Sequence, residues 1–290
     1  GHTLQIPAEL ERFSCMYCGE RLTKRQLLTQ PEEASCSEED CAVSFDHAVS
    51  RLGWCVQNFR GYQKKILRDA FFEAFETYET GCAPVIQELN SGVRPERQTE
   101  LLERAAEAML DELSAGWEKK NDMEDEKVVL AIFFVPMVRK LQLPVSEEFV
   151  SLLQKKWVER YPKSPFYLGD YESISGGFRK KFLGLCFITT AVCQELGKPD
   201  DCAELTAFRA FRDGYLAAQP DGEALIREYY NIAPGIVTCI NTCSDRHASY
   251  ERIREQYLTP CYEDLLAGRN ADCKTRYVQM VRDLEREYLH

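Results

Sequence analysis

A chain of 290 residues with 44% apolar and 29% charged residues has the make-up of a folded globular protein, not of a disordered one, and is long enough for two or three compact units. Its formal net charge of -11 repels phosphate backbones and anionic lipid. That argues against nucleic-acid binding, and the short basic clusters at Lys64, Lys65, Lys155, Lys156, Arg179, Lys180 and Lys181 read as solvated helix faces.

The first 50 residues hold four of the thirteen cysteines and an acidic, serine-containing stretch over 32–40, with no sustained helical period. Cys15 and Cys18 are separated by two residues and followed by Gly19, and Cys36 and Cys41 come later. A zinc ion takes four soft or borderline ligands at a tetrahedral point, and a tight turn with a following glycine can supply two of them. Residues 1–55 are therefore expected to form a small zinc-ribbon-like module in which Cys15, Cys18, Cys36 and Cys41 hold a structural Zn2+. His47 can replace one cysteine, and Cys55 is a more distant candidate. The competing readings are reduced, unligated thiols and a redox pair at Cys15 and Cys18; no thioredoxin-like strand-helix-strand pattern surrounds that pair.

Residues 58–177 are expected to form a helical bundle. Ile66, Leu67, Ala70, Phe71, Ala74, Phe75 and Tyr78 recur at steps of three and four, the stripe of an amphipathic helix. Further helices are predicted over 97–118, 124–141 and 146–160, the last with Glu147 and Glu148 in its first turn. The window 128–138 is the most apolar but, at about eleven residues, is too short for a membrane span. With no basic stretch leading into an apolar run at the N-terminus, the sequence predicts a cytoplasmic chain with no membrane contact. Residues 161–177, rich in proline, glycine and aromatics, read as a packed connector, with a ligand-lining role as the sharper alternative.

Residues 178–290 are expected to form a second helical unit. An apolar run over 182–192 leads to a turn at Gly197 and Asp200; a helix follows with Leu205, Phe208, Tyr215 and Leu216 on its inner face, where Arg209 and Asp213 are placed to pair at i, i+4. Helices are predicted over 223–231, over 234–241 with Pro234 at its start, and over 247–257 and 272–288. The fold class expected is mainly all-α, two helical units preceded by the zinc-ribbon-like module.

Within this unit, CFITTAVC over 186–193, ELTAFRAFRDGYL over 204–216 and ALIREYYNIAPGI over 224–236 resemble the bacterial CFI-box domain. The resemblance covers roughly residues 186–240 and rests on three blocks in order. Cys186, Phe187, Ile188, Thr190 and Ala191 match the opening; Leu205, Phe211, Arg212, Asp213, Tyr215 and Leu216 the centre; Tyr229, Tyr230 and Pro234 the end. Cys193 departs from it, standing where many members continue differently. The resemblance implies a domain identity and no reaction.

Cys186 is the candidate catalytic residue. At the start of a helix, with Arg209 or Arg212 nearby, its thiolate can be stabilised by free N–H groups and the dipole; as part of an apolar run it reads as a small buried hydrophobe, the reading the sequence favours. Cys193 lies two turns further, roughly 10.5 Å along a helix axis, too far for a bridge to Cys186. Cys202 can fold back toward Cys193, and Cys239 and Cys243 are one turn apart, leaving open a second metal site among Cys186, Cys193, Cys202, Cys239 and Cys243. No phosphate-binding glycine loop, GxSxG or HExxH occurs.

Two functional readings follow. One is a zinc-stabilised helical binding or scaffold protein acting through a protein partner. The other is a thiol- or metal-dependent enzyme centred on Cys186. An enzyme requires a depressed thiol pKa in a cleft; a scaffold predicts a buried, inert thiol.

Overall fold

The computed structural model describes residues 12–14, 21–23, 38–119, 121–179, 186–243 and 245–290. Two short strands, β1 (Arg12–Ser14) and β2 (Arg21–Thr23), pair antiparallel with Phe13 opposite Leu22. The rest of the described chain is mainly helical. Among the described residues, no helix is long and apolar enough to cross a membrane.

The first helix, α1 (Glu38–Leu52), lies where the sequence gave no helical period. Its first turn is Glu38, Glu39 and Asp40, the acidic run that resembles a polar loop but complements the positive end of a helix dipole. Cys41, Phe45, Ala48 and Leu52 form its single buried stripe. A one-turn helix α2 (Trp54–Gln57) and a 3-10 turn (Tyr62–Lys65) follow, so the stripe predicted from Ile66 becomes a regular helix only at α3 (Phe71–Gly92). Gly61 enters the turn at φ 88°, a conformation glycine adopts without steric cost. At the end of α3, a side chain on Gly92 would sit 2.4 Å from the Phe45 backbone nitrogen, which allows α1 and α3 to touch.

The bundle continues through α4 (Gln98–Ala115), α5 (Asp122–Val129), a π-helical turn (Leu130–Phe134), α6 (Val135–Lys140), α7 (Ser146–Arg160) and α8 (Tyr171–Arg179). The π turn places Pro136 in the following turn of a continuous helix. The wider turn changes the hydrogen-bond pattern where proline cannot donate. Phe133 and Phe134 on this turn are fully buried.

Beyond residue 185 come α9 (Phe187–Glu195), α10 (Ala203–Ala210) running into a second π turn (Phe211–Leu216), α11 (Gly222–Thr242), α12 (Arg246–Ile253), a third π turn (Arg254–Leu258), α13 (Thr259–Leu266) and α14 (Asn270–Tyr288). The two helices predicted over 223–231 and 234–241 are one: α11 passes straight through Pro234. Its buried face, from Tyr230 through Ala233 and Ile236 to Ile240, is unbroken, and the Thr238 hydroxyl donates to the Pro234 carbonyl at 2.8 Å. Tertiary burial outweighs the missing backbone hydrogen bond here.

Helix α11 is laid directly on the segment before α3. Asn231 accepts the Arg68 N–H at its carbonyl (3.0 Å) and the Asp69 N–H at its side-chain oxygen (3.1 Å). A Cβ on Gly235 would fall 1.8 Å from the Ile66 carbonyl oxygen, so only glycine lets the two backbones meet. Phe71 stacks on Phe178 with ring centroids 4.3 Å apart. The buried apolar residues form one cluster from Phe45 to Leu289.

Candidate functional site

Cys186 immediately precedes α9 and is 4% exposed. Its carbonyl accepts the Thr190 N–H at 2.6 Å, closing the first turn. Across from it, the π turn carries Arg212, also buried. Arg212 Nη1 lies 3.5 Å from Cys186 Sγ and donates to Tyr230 Oη at 3.1 Å. Its Nε and Nη2 donate to the two oxygens of Asp213 at 2.6 and 2.7 Å, a bidentate fork.

Residues from each of the three blocks quoted above therefore meet here. Cys186, Phe187 and Ile188 come from the first block, Arg212 and Asp213 from the second, Tyr229 and Tyr230 from the third. Phe187 packs edge-on against Tyr230 with centroids 6.1 Å apart. Tyr229 Oη accepts the Ile188 N–H at 3.0 Å, and Thr189 Oγ1 is 3.2 Å from Tyr277 Oη. Tyr277 escaped the sequence reading. Its only signal was the spacing of Cys273, Tyr277, Met280, Val281 and Leu284 along α14, which reads as ordinary core.

This geometry does not activate the thiol. Burial pushes the Cys186 pKa above the ordinary thiol value of 9.0, and the nearby Arg212 and Arg209 pull it down without reversing the shift. The Ile188 N–H, which would stabilise a thiolate at the helix start, is taken by Tyr229, and Asp213 balances the Arg212 charge. At neutral pH Cys186 is a thiol. Arg209 is not paired with Asp213 as its i, i+4 spacing suggested; it turns back to Asp200, with Nη2 2.8 Å from Oδ1 and Nη1 2.7 Å from the carbonyl.

The cavity beside Cys186 and Arg212 is narrow, about 50 Å³, and walled mainly by Phe208, Phe211, Tyr229, Tyr277 and Val281. A cavity that accepts benzene is about 150 Å³, so this one holds no substrate of that size without opening.

The remaining cysteines fall largely into pairs. Cys193 and Cys202 have sulfurs 3.8 Å apart. The Cys82 thiol donates to the Cys55 carbonyl and the Cys261 thiol to the Cys273 carbonyl, each at 3.9 Å. Cys243 donates to the Cys239 carbonyl at 3.2 Å. Among the described residues, no three His, Cys, Asp or Glu side chains are grouped to hold a metal. Of the expected zinc ligands, Cys41 is buried in the first half of α1, while Cys15, Cys18 and Cys36 lie outside the described residues. His47 contacts Glu88, Nδ1 to Oε1 at 2.7 Å.

No family model matches the chain, and no curated protein and no solved structure matches it.

Proposed function

We propose that the chain is a helical scaffold of the CFI-box type that acts in the cytoplasm by binding a protein partner. In this reading a structural zinc held by Cys15, Cys18, Cys36 and Cys41 organises its N-terminal segment. The observation that carries the scaffold reading is the state of Cys186: buried, held neutral by desolvation, and facing a guanidinium already matched by Asp213. A thiol that attacks a substrate arriving from solvent needs the opposite, an accessible sulfur with a depressed pKa. The cluster instead ties the start of α9 and the middle of α11 to the π turn, which is the work of a packing motif. The zinc assignment rests on ligand type and spacing alone.

The test is metal content per chain by plasma mass spectrometry, on protein purified without added metal, together with mapping of thiols alkylated under native conditions. One zinc per chain, lost when Cys15 and Cys18 are both replaced by serine, and a Cys186 that reacts only after unfolding, is the expected result. Rapid native alkylation at Cys186 would overturn the scaffold reading in favour of a thiol enzyme. A metal-free chain would remove the zinc module.

A further inference from the structure

Cys193 sits in the last turns of α9 and Cys202 caps the start of α10, nine positions on. The loop between them is tightly held. Gly197 turns it at φ 68°, the Lys198 N–H donates to the Cys193 carbonyl at 2.8 Å and the Cys202 N–H to the Pro199 carbonyl at 3.1 Å. Lys198 pairs with Glu204, and Arg209 grips Asp200. These contacts bring the two sulfurs to 3.8 Å. A disulfide needs about 2.05 Å, so each sulfur has to move by only about 0.9 Å to form one.

Access separates this pair from the others. Cys55, Cys82, Cys261 and Cys273 are all fully buried, and the Cys243 thiol is spent on a backbone carbonyl. Cys202 is partly exposed, and Cys193 forms part of the wall of a cavity of about 120 Å³ that Lys198, Glu204, Arg254 and Tyr262 also line. A small oxidant can reach one sulfur while the second waits in contact behind it.

We propose that Cys193 and Cys202 form a reversible oxidation site, a thiol pair that closes to an intramolecular disulfide when the protein meets hydrogen peroxide. The chemistry balances in two steps. The Cys202 thiol attacks the peroxide oxygen, the O–O bond breaks, and Cys202 becomes a sulfenic acid with release of water. The Cys193 sulfur then attacks the Cys202 sulfur, the S–O bond breaks, and a second water leaves with the Cys193 proton. Two electrons pass from the sulfurs to the peroxide, and a dithiol reductant reverses the process by thiol exchange. The bridge would staple the end of α9 to the start of α10, the helix that runs on into the Arg212 turn.

The experiment uses the full chain, fully reduced, treated with hydrogen peroxide, quenched by alkylation and mapped by mass spectrometry without reduction. The expected result is the loss of two alkylatable thiols per chain in a single Cys193–Cys202 linked peptide, which appears before any other linkage among the described cysteines and disappears on dithiothreitol treatment. In Cys193→Ser the linked peptide is absent and Cys202 is trapped as a sulfenic acid by dimedone. If the wild-type chain instead carries Cys202 to sulfinic acid without a link, or links other described cysteines first, the proposal falls; that result stands even if the variant fails to fold.

Discussion

Arg212 donates to Asp213 and Tyr230 and lies against the Cys186 sulfur, partners 1, 18 and 26 residues away along the chain. Replacing it by methionine keeps much of the apolar stem and removes the charged donors; hydrogen bonds of that kind contribute about 1.5–3 kcal/mol. Arg212→Met should therefore lower stability by about that amount, read as a drop in the urea midpoint with an unchanged slope. Arg212→Lys should recover little of the loss, because an ammonium cannot reproduce the fork to Asp213. At this scale the sequence was partly legible. Cys186 and Arg212 stood out through their motif blocks, but the hydroxyl of Tyr229 capping α9 did not. The Arg209–Asp213 pair failed because spacing along one helix says nothing of Asp200, which the preceding turn delivers to the same guanidinium.

The contact between α11 and the 66–69 segment depends on backbone meeting backbone at Gly235. A carbonyl oxygen anchored in a packed segment cannot yield as a flexible side chain would, and forced overpacking costs about 1–3 kcal/mol. Gly235→Ala should destabilise the chain by at least about that much, measured by chemical denaturation, whereas Gly214→Ala, where an added Cβ meets nothing within 4 Å, should leave the midpoint nearly unchanged. Helices with long apolar stripes, such as α7 and α14, were legible from periodicity. Helix α1 was not, because its four buried residues are separated by polar ones and its acidic first turn has the composition of a loop. The break expected at Pro234 was a local rule overruled by a buried face that continues on both sides.

For the molecule as a whole, the buried thiols and phenols set an alkaline limit. Burial pushes Cys193 up to about 12, and Tyr288 likewise to about 12, while Cys186 and Tyr229 are raised for the same reason. Each group is harder to ionise folded than unfolded, so its contribution is fully present below the unfolded pKa and is lost as pH rises toward the folded one. The melting temperature should hold level through neutral pH and fall once pH passes about 9, where unfolded thiols begin to ionise. On the acid side the sign is opposite. Asp264, held by Arg269 and Arg276, and Asp170, held by Ser173, have lowered pKa values; their stabilisation is present above the ordinary carboxylate range and disappears as pH falls through their folded values. Thermal melts across the pH range check both limbs.

The docking of α11 also sets an order of events during synthesis. The Asp69 N–H finds its acceptor in Asn231, 162 residues later. At 5–20 residues per second, the ribosome delivers that partner about 8–32 s after Asp69 itself. Through that interval the Ile66 carbonyl and the backbone beside it lack the helix that covers them, so nascent chains stalled before residue 222 should be the form that chaperones bind and proteases cut.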